Sequence, residues 1–212
     1  MKKDRLFLLA ALFVMACLCF FYQKTLDSTG AVSVPDSITV YGNIHLPPTG
    51  LESLGDEDEL AAQVIAVQQW LYQAIDEPIV LMEGVPFKGT PYSRADLYRI
   101  GGAVYDFQKE RINNYANLYD VGLRFILEGK KQVFGGEDSL LFQAVYDSLQ
   151  ANINFAQSPG FQELNNLRSA KIAENTEHIY AIYHRRVAII VGQIHLAWFQ
   201  DHGYLVKYPP EY

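Results

Sequence analysis

The stretch VAIIVGQIH, residues 187–195, decides how the rest of this chain is interpreted. Its first five residues are apolar and four of them are β-branched, which predicts a strand buried on both faces, as in a parallel or mixed sheet. Gly192 ends the strand and His195 follows three residues later. A histidine just beyond the carboxyl end of a buried strand lies where open α/β sheets bind their ligands. The stretch therefore predicts both an α/β fold and the edge of the sheet that carries the site.

The same pattern occurs once more, near the start of the chain. Residues 38–45 read ITVYGNIH, so Gly42 ends a strand and His45 stands three residues beyond it, 150 positions before His195. Core packing alone does not explain a strand that ends in Gly-x-x-His at both ends of one domain. Because two prolines follow His45 at 47 and 48, it cannot be helical there, and we expect both histidines on loops.

Two more strand ends carry a carboxylate beside a glycine. The strand predicted over 79–82 is followed by Glu83 and Gly84, and a weaker strand within 131–138 closes with Gly136 and Glu137. Charged residues at strand ends mostly face solvent, and Glu137 or its neighbour at 138 can instead cap the helix predicted over 139–151. These alternatives stay open for both carboxylates.

The remaining elements follow from apolar spacing and from end signals. Helices are predicted over 57–75, over parts of 94–127, and from 158 to about 184, and the last strand over 204–208 at the sheet edge. Arg168 and Asn175 lie two turns apart on one face of the third helix. Both can point at one ligand, and exposure to solvent is the alternative.

The four strand-end residues are expected to converge, because the carboxyl ends of parallel strands share one edge of the sheet. They are His45, Glu83, Glu137 and His195. Two imidazoles with one or two carboxylates form the ligand set of a zinc, manganese or iron site and support metal-assisted hydrolysis. Without a metal, the same groups can act as base, acid and orienting partner.

Residues 1–24 form a segment of different composition. Basic residues precede an apolar run of 17 residues at 6–22, which is the layout of an export signal and sits at the border between a signal core and a spanning helix. The basic start favours a cytoplasmic amino terminus with the rest of the chain outside. An uncleaved single-span anchor is favoured for this segment. One alternative is a lipoprotein signal, because VMAC at 14–17 resembles a lipobox, and the other is ordinary cleavage.

Residues 25–36 are a polar linker, and residues 37–212 are predicted to form one domain. Both cysteines, Cys17 and Cys19, lie in the first segment, so the exported domain has no thiol for disulfides or thiolate chemistry. The net charge of -7 and the lack of a Lys/Arg cluster after residue 24 argue against nucleic acid as a partner.

In their order, these motifs resemble the Tiki/TraB/PrgY group, which belongs to a wider superfamily with ChaN-like haem-binding lipoproteins and erythromycin esterases. The resemblance covers roughly residues 38–208 and rests on GNIH at 42–45, LMEG at 81–84, Gly136-Glu137, Arg168 on a helix, and GQIH at 192–195. The segment DHGYLV at 201–206 is similar to the Gly-Tyr-x-Val ending of the group. Here Ser169 follows Arg168, where the group usually has asparagine.

The resemblance implies an α/β fold in which both histidines and Glu83 form the active site. Tiki-like members are metal-dependent peptidases, esterase-like members use a histidine base without metal, and ChaN-like members bind haem. We therefore expect a mixed, mostly parallel sheet flanked by helices, in a hydrolase held at a bacterial membrane on the extracytoplasmic side.

The expected roles follow the same resemblance. His45, His195 and Glu83 hold a divalent metal (Mn, Zn or Co) or position water, Arg168 stabilises developing negative charge, and Glu137 is a second ligand or base. The substrate is expected to be a peptide or a small-molecule ester. A protein that binds haem or another ligand, and a non-catalytic regulator of a peptide signal, are the alternatives.

Overall fold

A five-stranded β-sheet forms the centre of the structure. The computed structural model describes residues 36–44, 58–97 and 120–210. Along the chain the elements are β1 (Ile38–Asn43), α1 (Asp58–Ala74), β2 (Ile79–Pro86), α2 (Val121–Glu128), β3 (Gln132–Glu137), α3 (Ser139–Ala151), a 3-10 helix (Ile153–Gln157), α4 (Pro159–Tyr183), β4 (Val187–Gly192), α5 (Gln193–Asp201) and β5 (Leu205–Lys207).

All five described strands run parallel, in the order β3-β2-β4-β1-β5. The predicted α/β class is confirmed, and the sheet is wholly parallel rather than mixed. A helix in every connection returns the chain to the edge from which the next strand starts, as parallel pairing requires. β4 is the central strand and its first five residues are buried, as the apolar stretch predicts, while β5 lies at the predicted edge.

Helices cover both faces of the sheet, which gives three layers. On one face, Tyr41 of β1 and Ile190 of β4 are buried against Leu71 of α1 and Phe125 of α2. On the other face, α4 and α5 pack against β1, β3 and β4. Burial on both sides is the reason that the central strands carry unbroken apolar runs.

The connections leave the sheet in two directions. From β1 and β2 the chain moves toward the β3 edge through α1 and α2, and from β3 and β4 it moves toward the β5 edge through α4 and α5. Because β2 and β4 are neighbours, the chain diverges to opposite faces at their carboxyl ends. Open α/β sheets bind ligands in the crevice that such a divergence leaves.

The start of α5 corrects one prediction. His195 lies in the first turn of a helix rather than on a loop, because β4 continues directly into α5 at Gly192. Gly192 has an extended backbone (φ -62°, ψ 157°) and serves as the N-cap without a side-chain hydrogen bond. Glycine is among the residues that suit this position, so the motif's glycine both ends the strand and begins the helix.

Some predicted features lie outside the described residues. They are the segment 1–24, most of the linker 25–36, His45 at the end of the first Gly-x-x-His motif, and the middle of the helical region at 98–119. Within the described ranges, none of the helices combines the length and the apolar character that crossing a bilayer requires.

Candidate functional site

Four predicted site residues meet in the crevice between β2 and β4. They are Glu83 of β2, Glu137 of β3, His195 of α5 and Arg168 of α4. The side chains of Arg168, Glu137 and His195 are 6%, 2% and 0% exposed, whereas that of Glu83 is 12% exposed. Glu83 is therefore the member of this cluster that is most open to solvent.

Arg168 joins the two carboxylates. Its Nη2 donates to Oε1 of Glu83 at 2.9 Å and to Oε1 of Glu137 at 2.5 Å, and its Nη1 donates to Oδ1 of Asn165 at 3.0 Å. Burial alone would lower the pKa of Arg168, but the hydrogen bonds and negative charges of Glu137 and Glu83 outweigh burial and raise it. The guanidinium is thus a buried cation whose donors are directed at protein groups, and the alternative of an exposed Arg168 is wrong.

Asn175 is buried as well, but it does not share the role of Arg168. Its Nδ2 donates to the carbonyl oxygen of Gly136 at 3.0 Å. The bond fastens α4 to the end of β3, next to Glu137. Asn175 therefore supports the packing of α4 against β3, and its Nδ2 is occupied by a backbone contact.

The choice between Glu137 and Asp138 as helix cap is settled by their contacts. The side chain of Asp138 accepts hydrogen bonds from the N–H groups of Leu140 and Leu141, and so caps α3. Glu137 faces Arg168 instead. With the capping role taken by its neighbour, Glu137 contributes a buried negative charge that holds the guanidinium in place.

β2 contains a bulge between Met82 and Pro86, beside Glu83. Met82 pairs with Gly135 and the next pair is Pro86 with Glu137, so three residues of β2 stand opposite one residue of β3. Gly84 in the bulge has a φ of 77°, which residues with a Cβ rarely adopt. A Cβ at Gly135 would overlap the carbonyl oxygen of Pro86, so glycine there lets the bulge close against β3.

His195 is held at both ring nitrogens. Its Nδ1 lies 2.7 Å from Oγ of Ser169, and its Nε2 lies 3.0 Å from Oε1 of Glu83. The N–H of Gly192 donates to Oε2 of the same carboxylate at 2.5 Å. The Gly-x-x-His spacing thus has a geometric meaning, because the first turn of α5 brings the histidine back to the carboxylate that the glycine binds.

Ser169 is a site residue that the sequence analysis did not identify. The only signal was its position directly after Arg168, where it departs from the pattern of the resembling family. Ser169, His195 and Glu83 are connected in the order of a serine-hydrolase triad. Ser169 is 1% exposed, however, and its hydroxyl donates to the carbonyl oxygen of Asn165 at 2.9 Å, so it is not placed as a nucleophile.

The first Gly-x-x-His motif is described up to residue 44, so the convergence of His45 with His195 stays a prediction. β1 is the direct neighbour of β4, and Asn43 pairs with Gly192. The two motifs therefore leave adjacent strands almost in register, which is the arrangement that a shared site requires.

A buried polar network fixes the end of β1. Nε2 of Gln68 donates to Oδ1 of Asn43 at 2.7 Å and to the carbonyl oxygen of Ile44 at 3.3 Å. Oε1 of Gln68 accepts from the N–H of Val121 at 2.8 Å. The amide of Gln68 thus joins α1 and α2 to the residue that precedes His45. Local sequence spacing does not reveal this role, because nothing in it distinguishes Gln68 from other helix glutamines.

Comparisons with known proteins leave the family of this chain open. No family model, no curated protein and no solved structure matches it. The Tiki/TraB-like resemblance of the motifs therefore stays a prediction, and the site is interpreted from its own geometry.

The predicted metal ligands are present in part. Oε1 of Glu83 and Nε2 of His195 are 3.0 Å apart, and two donors on one ion with bonds of about 2.1 Å are separated by about 3.0–3.4 Å. Glu137 is bound to Arg168 and is not placed as a further ligand. The described ranges hold no group of three His, Cys, Asp or Glu side chains that fits a metal ion. A metal site thus depends on His45, outside the described residues, as its third ligand.

A cavity of about 500 Å³ lies near the carboxyl ends of β1 and β4, and Glu83, Glu137, Arg168 and His195 are not among its lining residues. It is lined by Ile44, Gln63, Gln193, Leu196 and residues 208–210. Gln193 and Leu196 flank His195 in α5. None of the described residues that line the cavity is charged, so its surface suits a neutral ligand with both apolar and amide-like groups.

Proposed function

We propose that this chain is an extracytoplasmic hydrolase whose reactive pair is Glu83 and His195. The observation that carries the proposal is the hydrogen bond between these side chains in the crevice where β2 and β4 diverge. A histidine and a carboxylate at this place in an α/β sheet form an acid–base pair in the position where such folds bind ligands.

Each residue has a separate part in the proposed reaction. Glu83, the most exposed of the four, accepts a proton from the attacking water and returns it to the leaving group of an amide or ester. His195 orients Glu83 through the contact between its Nε2 and Oε1 of Glu83. Arg168 acts through its hydrogen bond to Oε1 of Glu83, which holds the carboxylate in place. This replaces the direct contact with developing negative charge that the sequence analysis expects of Arg168.

In an alternative form of the proposal, Glu83, His195 and His45 hold a divalent metal such as Mn, Zn or Co, and Glu83 is then a ligand instead of the base. When bound, the ion would supply Lewis-acid polarisation of a carbonyl and activation of a water. Arg168 would still hold Glu83, and Glu137 would still hold Arg168. Glu137 is proposed as a supporting residue rather than as a ligand or base, because Arg168 occupies its carboxylate.

The proposed substrate is a peptide or a small-molecule ester without charge near the scissile bond. This is supported by the cavity beside α5, whose described lining consists of amide, aromatic and aliphatic groups. The acidic net charge of -7 also speaks against nucleic acid as a substrate.

The experiment uses the full-length chain in detergent, purified without chelator. Metal content is measured by mass spectrometry, and hydrolysis is followed with p-nitrophenyl acetate and with a quenched fluorescent casein. The proposal expects turnover of at least one probe that Glu83→Gln abolishes and Glu163→Gln, at an exposed site on α4, leaves intact. Equal rates for the wild type and Glu83→Gln would refute it.

The same preparation tests the binding alternative. A Soret band after addition of haem, without turnover of either probe, would favour a haem-binding protein. A folded chain with neither haem binding nor turnover would leave the regulator of a peptide signal as the remaining proposal.

The proposed location is the extracytoplasmic side of a bacterial membrane, held by the segment 1–24 as a single span or through a lipid on Cys17. It is supported by the basic start, the apolar run of 17 residues and the thiol-free domain. Reporter fusions after Tyr212 should be active for a periplasmic reporter and silent for a cytoplasmic one. The opposite pattern would refute the location, and unchanged lipid labelling in Cys17→Ala would refute the lipoprotein form.

A further inference from the structure

Ser169 makes two short contacts with groups that differ in what they can donate. Its Oγ lies 2.9 Å from the carbonyl oxygen of Asn165 and 2.7 Å from Nδ1 of His195. The serine is 1% exposed and the histidine 0%, so both contacts lie in the protein interior. Each contact needs one hydrogen to be favourable, because unpaired polar atoms are costly when they are buried.

The positions of the two hydrogens follow from the chemistry of the groups. A carbonyl oxygen only accepts, so the hydrogen between Ser169 and Asn165 is that of the serine hydroxyl. A hydroxyl has one hydrogen, so the hydrogen in the contact with His195 has to come from Nδ1. The opposite assignment turns the hydroxyl toward Nδ1 and leaves two oxygen lone pairs facing each other at 2.9 Å.

We propose that Ser169 is a positioning residue, which accepts a hydrogen bond from Nδ1–H of His195 and so holds the ring with Nε2 directed at Glu83. Nε2 lies 3.0 Å from Oε1 of Glu83, and because a carboxylate only accepts, the hydrogen of this contact also comes from the ring, which thus carries a hydrogen on each nitrogen. An imidazole whose far nitrogen donates to a fixed acceptor is held in one ring orientation. Its catalytic importance rests on the proposed hydrolase, whereas the position of the hydrogen does not.

The direct test is nuclear magnetic resonance of the full-length chain, labelled with ¹⁵N in its five histidines and kept in detergent. The His195 ring signals are assigned by their loss in His195→Gln. We expect a protonated, slowly exchanging Nδ1 in the wild type. A His195 ring with hydrogen on Nε2 alone would overturn the proposal, and this outcome needs no variant at Ser169.

Variants connect the hydrogen position to Ser169. Ser169→Ala should lose the protected Nδ1–H signal, and Ser169→Thr, which keeps the hydroxyl, should retain it. Ser148→Ala is the matched control, because Ser148 also donates to the carbonyl four residues back in its helix, at 2.7 Å from Ala144, and does not contact His195. A wild-type Nδ1–H signal in Ser169→Ala would refute the assignment to this serine.

Kinetics separate this proposal from the hydrolase itself. With p-nitrophenyl acetate, Ser169→Ala should lower kcat about 10- to 100-fold with KM unchanged, as losses of a histidine's outer partner typically do. A protected Nδ1–H without any turnover would uphold the positioning role and count against the hydrolase. Turnover by a wild type with a bare Nδ1 would uphold the hydrolase and refute the positioning role.

Discussion

Nε2 of His195 lies 3.0 Å from Oε1 of Glu83, although the two residues are 112 positions apart in the chain. The contact joins the ends of two neighbouring parallel strands. The same carboxylate also binds Arg168 of α4 and the N–H of Gly192. Glu83 therefore connects β2 to α4 and to the start of α5. We expect substitutions of Glu83 to have the largest effect on activity.

Glu83→Gln should keep the shape of the side chain and remove its charge. We expect the hydrolysis rate to fall about 100-fold or more, the scale of a lost acid–base group. The free energy of unfolding should fall by about 1–3 kcal/mol, because a buried hydrogen-bond network is disturbed. Rates per folded molecule and urea denaturation measure the two effects. Glu163→Gln should shift stability by less than about 0.5 kcal/mol, and an unchanged rate in Glu83→Gln would contradict the prediction.

Arg168→Ala should destabilise the fold strongly. Loss of the guanidinium leaves Glu83 and Glu137 without their cation, and breaking a buried ion pair in this way costs about 3–5 kcal/mol. Arg186→Ala is the control, since Arg186 and Asp76 form a pair that is 55% and 67% exposed; it should cost less than about 1 kcal/mol. Urea denaturation of both variants decides the matter, and equally small losses would show that Arg168 behaves as a surface residue.

Gly135→Ala should cost more stability than Gly122→Ala. The new methyl group at 135 would overlap the backbone carbonyls of Val85 and Pro86, which cannot move without opening the β2 bulge. At 122 it would meet the flexible side chain of Met82, and alanine gains about 1 kcal/mol of helix propensity there. Overpacking usually costs about 1–3 kcal/mol. We expect Gly135→Ala to lower the free energy of unfolding by about 3 kcal/mol or more, and we expect no such loss for Gly122→Ala. Thermal unfolding compares the two, and the reverse order would contradict the close approach.

Glu128 should make stability depend on pH in the acid range. Burial alone would raise its pKa, but hydrogen bonds from Lys130, Tyr72 and Arg124 lower the pKa of Glu128 to about 2. A carboxyl whose pKa is lower in the folded state stabilises the fold above its unfolded pKa of about 4.3, and this contribution is lost as the pH falls through the folded pKa.

The measurement is urea denaturation of the wild type and Glu128→Gln at a series of pH values. The difference in unfolding free energy should be constant above about pH 5 and shrink as the pH falls to about 2. Glu163→Gln should show no such trend. A difference that is the same at all pH values would mean that the charge of Glu128 contributes nothing.

His45 and His195 should act as one unit. If both bind one ion, His45→Ala and His195→Ala should each lose bound metal and activity in parallel, and the double variant should be little worse than either. His202→Ala is the control, because His202 stacks on Trp198 at the far end of α5. Metal analysis and rates of all four variants provide the test, and additive effects would refute the shared site.

Much of the fold is predicted by local patterns in the sequence. Residues 187–191 are apolar without interruption because β4 is covered on both faces, and this alone predicts the α/β class. Ser158 and Pro159 mark the start of α4 because a hydroxyl acceptor and a residue without N–H suit a helix amino terminus. The strand ends also identify Glu83, Glu137 and His195 as one group, since the carboxyl ends of parallel strands share an edge.

The partner of each of these residues was decided only by the tertiary structure. The insertion of β4 between β2 and β1 makes Glu83 and His195 neighbours, and Arg168 of α4 contacts both Glu83 and Glu137. Ser169 has a role in the site because it contacts His195, 26 positions away in the chain. Arg168 is buried beside two carboxylates that lie on β2 and β3. Periodicity reports which face of an element is buried, because burial repeats with the turns of the helix or the pleat of the strand. Periodicity does not predict which distant side chain contacts the buried face, because that contact depends on strand order and on the close approach of two backbones.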